Sequence, residues 1–215
     1  MNIAAILLRG KTTYNPLDKG SGITLSNNNL TVAATTGNTV RASLFYKNYG
    51  MWYWEVTINS GSILGVVGIA TTGAITTGSY LGADALGWGV YVNGGSINKI
   101  HSAAANGTDS PARAGYLAPN GVAFAVGDTL MFALDKINNF IYVGRNGVWY
   151  NGLSSNAIAP DPTSGATGQG AIFHSLTGSI CPAFGANAAY GVTANFGQSA
   201  FKYPVPQGYN SGFYQ

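Results

Sequence analysis

The chain is short of charge. Lysine, arginine, aspartate and glutamate together make up 8% of its 215 residues, against roughly 25% in typical soluble domains. Glu55 is the only glutamate, and Cys181 the only cysteine. A lone cysteine excludes an intrachain disulfide framework and reads as a small buried hydrophobe. No stretch approaches the ~20 apolar residues of a membrane helix, so membrane insertion is not expected. The ten cations, from Arg9 to Lys202, are scattered, with no cluster to follow a phosphate backbone, which argues against nucleic acid. The net charge of +3 reflects few acids rather than a basic patch.

Hydrophobic residues amount to 46%, with 31 glycines and many Asn, Ser and Thr. That supports a sizeable core under a neutral surface of amides, hydroxyls and backbone, suited to durable assemblies. Disordered chains are poor in aromatics and rich in charge, so disorder is excluded. The length fits one domain, or one domain with an arm.

"MNIAAILLRG" opens with an apolar run, Ile3 to Leu8, that has no preceding cation and no cleavage-like pattern after it. It reads as an edge strand or a docking arm rather than a signal peptide. Release by lysis, not secretion, is therefore expected. A soluble monomer has little reason to expose such a run, so Met1 to Lys19 is expected to serve assembly, and its deletion to leave the rest folded.

From there the chain reads as strands. Trp52, Trp54, Val56 and Ile58 alternate with Tyr53, Glu55 and Thr57, the period of a half-buried strand. "ILGVVGIA" (63–70), "GWGVYV" (87–92), "DTLMFALD" (128–135), "FIYVG" (140–144) and "VTANFG" (192–197) read the same way, with "FKYPVP" (201–206) as an exit. Lys136 to Asn139 joins two of them as a hairpin. In "YVGRNGVWYNG", Asn146-Gly147 predicts a second tight hairpin, because a type I′ turn needs positive φ at both central residues. No window carries a helical stripe. Short strands joined by Gly/Asn turns predict an all-β sandwich with almost no helix. Three long loops are expected, at 71–86, 93–120 and 153–170, where binding usually resides.

The ordered set "LSNNNLTV" (25–32), "VRAS" (40–43), "GMWYWEVTI" (50–58), "VVGIA" (66–70), "GWGVYVNG" (87–94), "GDTLMFALD" (127–135), "FIYVGRNGVW" (140–149), "ICPAFGA" (180–186) and "VTANFGQSAFKYPVPQGY" (192–209) resembles the SPRY family. The resemblance covers about 22–209. It implies a bent two-sheet antiparallel β-sandwich of the concanavalin-like jelly-roll type, residues 22–215, with residues 1–21 as an arm or assembly segment. It also implies a binding module whose variable loops choose the ligand, and places Trp149 in the core or at its rim. The charge-poor, Asn-rich surface and the Gly/Thr/Ala loops resemble the SPRY-like domains of bacteriophage structural proteins.

Catalytic chemistry is thin. A glycosidase needs two carboxylates about 5 to 10 Å apart, whereas Asp128 and Asp135 lie at opposite ends of one strand. His101 and His174 sit in loop or turn contexts with no nucleophile elbow nearby. Asp135, Asn138 and Asn139 make an oxygen-rich turn, but turn geometry alone accounts for the asparagines, so no metal and no cofactor is expected. What remains is recognition. Tyr80, Asp84, Trp88, His101, Asp109, Tyr116 and Tyr150 are the candidate ligand-binding residues, aromatics and polar groups able to stack on a sugar and grip its hydroxyls. Loop packing or subunit contacts would use the same residues. The expected role is a non-enzymatic phage virion protein, a tail fibre or tail-associated adhesin. It would be made in the host cytoplasm, contact other virion proteins, act as a homo-oligomer, and bind a host surface glycan or protein. The alternatives are a capsid decoration or head-fibre protein, and a SPRY protein–protein interaction adaptor.

Overall fold

A computed structural model describes residues 12–35, 37–43, 46–47, 49–61, 65–93, 96–102, 104–105, 124–151 and 159–214. Among them the only helical element is a three-residue 3₁₀ turn, Gly165–Thr167, and everything regular besides it is strand.

Two antiparallel sheets face each other. Sheet one runs, edge to edge, β1 (Tyr14–Lys19), β4 (Asn38–Ala42), β14 (Ser179–Ala186), β7 (Gly65–Thr71), β8 (Gly87–Asn93), β9 (Ser96–His101) and β10 (Ala104–Ala105), with the short β5 (Tyr46–Lys47) also on β14. Sheet two runs β13 (Val148–Trp149), β12 (Phe140–Arg145), β11 (Thr129–Asp135), β6 (Met51–Ser60), β15 (Tyr190–Asn195), β3 (Thr31–Ala34) and β2 (Ile23–Ser26). A last pair of residues, β16 (Asn210–Ser211), lies parallel to the start of β6.

Alternation puts Trp54, Val56, Ile58, Leu130, Phe132 and Val192 between the sheets, facing Val40, Val67, Ile69, Trp88, Val90 and Phe184. Trp54 and Phe132, opposite one another on β6 and β11, stack with centroids 5.1 Å apart and planes at 6°. Such a pair adds about 0.5–1.5 kcal/mol beyond its buried area. The Asn146-Gly147 hairpin forms as expected: Arg145 pairs with Val148, and φ is 51° and 88° at the two central residues. The Asn146 carboxamide completes it, accepting from Thr129 N at 2.9 Å and donating to Asp128 Oδ1 at 2.6 Å.

Three features differ from the sequence reading. β6 is not half-buried, because Tyr53 and Glu55, on its outer side, are 0% and 4% exposed. The cause is the segment after β15. It forms no strand at 201–206 but lies across the outer face of sheet two, where Phe201, Tyr203, Val205 and Tyr209 pack with Tyr53, Met131, Tyr142 and Trp149. Pro204 and Pro206 have no N–H to give a ladder. The stretch 93–120 is not one loop, since β9 and β10 fall inside it. Finally, residues 12–19 belong to the sandwich: Tyr14 is 1% exposed in the main core and β1 pairs with β4. A deletion through Lys19 would remove core, so one that spares the fold has to stop before Thr12.

Candidate functional site

The loop 72–86, expected to be a binding loop, is a packed flap on the outer face of sheet one. Leu81 is 1% exposed among Val66, Ala70, Tyr91, Ile100 and Ala183, with Tyr80 partly buried beside it. Gly185 makes this approach feasible, since a Cβ there would stand 2.4 Å from Leu81 N. Arg41 pins the flap's start, its Nη1 donating to the carbonyls of Thr71, Thr72 and Ala74 at 2.8, 2.5 and 3.0 Å. The same guanidinium meets Asp18 bidentately, Nε to Oδ2 at 2.8 Å and Nη2 to Oδ1 at 2.6 Å.

The remaining sequence candidates do not converge on a face. Asp84 accepts from Ile75 N and Leu86 N at 2.7 and 2.9 Å, which fixes the flap's own turn. Trp88 is 3% exposed and faces the core, stacked on His101 at 4.7 Å and 7°. His101 is a strand residue rather than a loop residue, 9% exposed, its Nδ1 donating to Gly87 O at 2.8 Å. Tyr150 is 3% exposed, its hydroxyl has no partner among the described residues, and burial pushes its phenol above the usual value. Asp109 and Tyr116 lie outside the described residues. Trp88 and His101 are brought together, but inside the protein, where no ligand reaches them.

The other titratable groups are also structural. Burial pushes the Cys181 thiol well up, the reverse of an activated nucleophile. At the Asp135 turn, Oδ1 accepts from Ile137 N and Asn138 N, both at 2.9 Å, and Oδ2 from Asn138 Nδ2 at 2.8 Å. Lys136, 2% exposed, donates to Asn139 Oδ1 and Leu176 O at 2.5 and 3.1 Å, and burial lowers its pKa.

Among the described residues, a groove of about 340 Å³ lies open on the outer face of sheet two, beside the covering C-terminal segment. Its floor is Glu55 and Thr57 of β6 with Thr193 and Asn195 of β15. One wall is the β2–β3 turn, through Asn27 and Leu30, and the other is Gln198, Ser199, Ala200 and Lys202. Glu55 builds the second wall. Its Oε2 accepts from Lys202 N at 2.9 Å, and its Oε1 from Tyr203 N and Tyr53 OH, both at 2.8 Å. Burial first, and the Glu55 carboxylate second, hold the Tyr53 phenol far above its ordinary range. Asn195 and Gln198 brace the same wall: Asn195 Nδ2 donates to Ser199 O and Ala200 O, and Gln198 Oε1 accepts from Phe196 N.

None of the five sequence candidates within the described residues, Tyr80, Asp84, Trp88, His101 and Tyr150, lines this groove. Its outward positions, Thr57, Thr193 and Asn195, are visible in the strand alternation. That they are neighbours follows only from the pairing of β6 with β15, strands more than 130 residues apart.

Among solved structures, the chain is similar to the SPRY domain of human HERC1, with TM-score 0.59 at 14% identity over 87% of this chain and 99% of that one. The TRIM65 PSpry domain matches with TM-score 0.58 at 15% identity, over 86% and 89%. Stonustoxin matches with TM-score 0.58 at 16% identity over 86% of this chain, which corresponds to 27% of that longer one. The fold is SPRY-like. No protein-family model and no curated protein sequence matches the chain.

Proposed function

We propose that this chain is a non-catalytic recognition module whose contact surface is the groove on sheet two. One observation carries the first half: six of the seven carboxylates are spent on the fold. Asp18 holds Arg41, and Glu55 anchors the C-terminal segment. Asp84 fixes the flap, and Asp135 fixes its own turn. Asp128 accepts from Ala125 N and Asn146 Nδ2, and Asp161 from Thr163. The seventh, Asp109, lies outside the described residues. General acid–base chemistry needs a positioned group with a free proton-transfer partner, and these six have other work.

The finer reading is a bacteriophage virion protein, a tail fibre or tail-associated adhesin that binds a host surface receptor as a homo-oligomer. Its support is the composition, a surface kept soluble by amides and hydroxyls at 8% charge. Oligomeric display fits a small groove, since tethering several weak sites raises avidity by about 10² to 10⁴. The second reading, a protein-interaction adaptor, is favoured by the likeness in fold to the HERC1 and TRIM65 domains.

Attachment of the fluorescently labelled full chain to bacterial cells separates them. Saturable attachment across a strain panel, with immunogold labelling of phage tails, is expected. Attachment to no strain, together with capture on isolated intracellular proteins, would favour the adaptor and overturn the adhesin.

A further inference from the structure

Four threonines from four adjacent strands stand in one row on the outer face of sheet two. Thr31 of β3 is opposite Thr193 of β15, Thr193 opposite Thr57 of β6, and Thr57 opposite Thr129 of β11. Strands lie about 4.8 Å apart, so the row crosses them for about 14 Å. Thr129 is 2% exposed and closes one end, while Thr57 and Thr193 lie on the groove floor.

The hydrogen bonds along this row leave a definite surplus. A threonine hydroxyl has one proton and two lone pairs. Thr31 and Thr193 Oγ1 are 2.8 Å apart, Asn59 Nδ2 donates to Thr193 at 2.7 Å, and Asn27 Nδ2 to Thr31 at 3.4 Å. Whichever hydroxyl donates to the other, one proton of the pair is left over. The Thr57–Thr129 pair, at 3.4 Å, leaves one as well. Where Thr31 and Thr129 donate, the spare protons stand on Thr193 and Thr57 at the floor, and Leu30 and Ala200 add small apolar patches.

The charge pattern narrows the ligand. Among the described residues Lys202 is the groove's one cation, and the Glu55 carboxylate lies in the floor, so an anion meets attraction and repulsion together. An extended peptide repeats every ~3.3–3.4 Å and pairs along strand edges, whereas this row runs across strands at about 4.8 Å. A pyranose presents a ring of hydroxyls that both donate and accept, with C–H faces for the apolar patches. At the rim, Asn27, Asn28 and Asn29 form the β2–β3 turn with left-handed backbone, φ of 51°, 53° and 62°, a conformation that asparagine tolerates in turns.

We propose that the groove binds an uncharged glycan segment of about one or two sugar residues, gripped by Thr57 and Thr193 and edged by Asn27. The volume of about 340 Å³ lies at the small end of ligand sites. This rests on the reading of the groove as the contact surface.

The test is an immobilised panel of neutral mono- to tetrasaccharides, with sialylated and phosphorylated glycans beside them, probed with the full chain. At least one neutral glycan is expected to bind. The isosteric double variant Thr57→Val/Thr193→Val should bind it about tenfold more weakly or worse, from the net worth of the lost hydrogen bonds. Ala200→Trp, which fills the groove from its wall, should abolish binding without touching the row. Binding to charged glycans alone, or undiminished binding by either variant, overturns the proposal. If the wild type attaches to cells but captures no neutral glycan, the ligand class is wrong and the recognition role stands. If it attaches to no cell surface, the adhesin role itself falls.

Discussion

Arg41 makes five side-chain hydrogen bonds, and Arg41→Met is the sharpest probe of the flap. The methionine keeps the apolar stem and removes five hydrogen bonds: two to Asp18 and three to the carbonyls of Thr71, Thr72 and Ala74. Breaking a buried ion pair by deleting one partner costs about 3–5 kcal/mol, because the other charge is stranded. Here the side chains are 10% and 21% exposed, so Asp18 partly rehydrates and the low end, about 3 kcal/mol, is expected. For a chain of this size each kcal/mol moves Tm by roughly 2–4 °C, giving a fall of about 6–12 °C by calorimetry. Asp18→Asn leaves the three carbonyl contacts in place and should cost less than half as much. Hydrogen exchange should localise the damage, with the Ala74 and Ala83 amides, bonded to Thr71 O and Tyr80 O, losing protection before the β6 and β11 amides. A Tm loss below about 3 °C, or unchanged protection at Ala74 and Ala83, would refute the view that Arg41 holds the flap down.

Glu55→Gln removes one of the acceptors that meet Lys202 N, Tyr203 N and Tyr53 OH, so a loss of about 2 kcal/mol is expected, read as faster proteolysis within 197–209. Trp88→Ala should cost about 3–5 kcal/mol in urea unfolding, since a core aromatic is deleted; a near-neutral result would put Trp88 back among ligand contacts. Gly147→Ala combines positive φ with a Cβ 3.1 Å from the Tyr203 ring, and should destabilise by about 1–2 kcal/mol. Burial raises the phenols of Tyr14, Tyr53, Tyr142, Tyr150, Tyr190 and Tyr209, Tyr190 to about 12. The unfolded chain releases these protons near pH 10. Stability is therefore full below pH 10 and is lost as pH rises from there toward 12, by up to about 1.4 kcal/mol per pH unit for each phenol. Absorbance titration should show these tyrosines ionising together with unfolding. Separate, reversible titration near pH 10 would contradict their burial.

Strand alternation and turn chemistry made most of the sandwich legible from the chain itself. β6, β7, β8, β11, β12 and β15 carry two-residue periodicity or β-branched runs, and Asn146-Gly147 announces its hairpin. The site was not legible, for two physical reasons. Loop length and aromatic content pointed to Tyr80, Trp88 and His101, but the 72–86 segment is apolar enough at Ala74 and Leu81 to fold back on sheet one. The groove, in contrast, is built of ordinary outward threonines whose meaning lies in register, Thr31 with Thr193 with Thr57, across strands distant in sequence. β1 was missed because its Pro16 and the register break between Tyr14 and Lys19 interrupt the alternation. The burial of Glu55 required knowing where residues 196–209 lie.

Amide chemical-shift mapping of the full chain, titrated with a neutral oligosaccharide, tests most directly whether recognition sits in the sheet-two groove. Shifts are expected at Thr57, at Thr193 to Asn195 and at Gln198 to Lys202, with the 72–86 flap and Trp88 unmoved. Shifts confined to the flap and the β8–β9 region, with the groove silent, would contradict it.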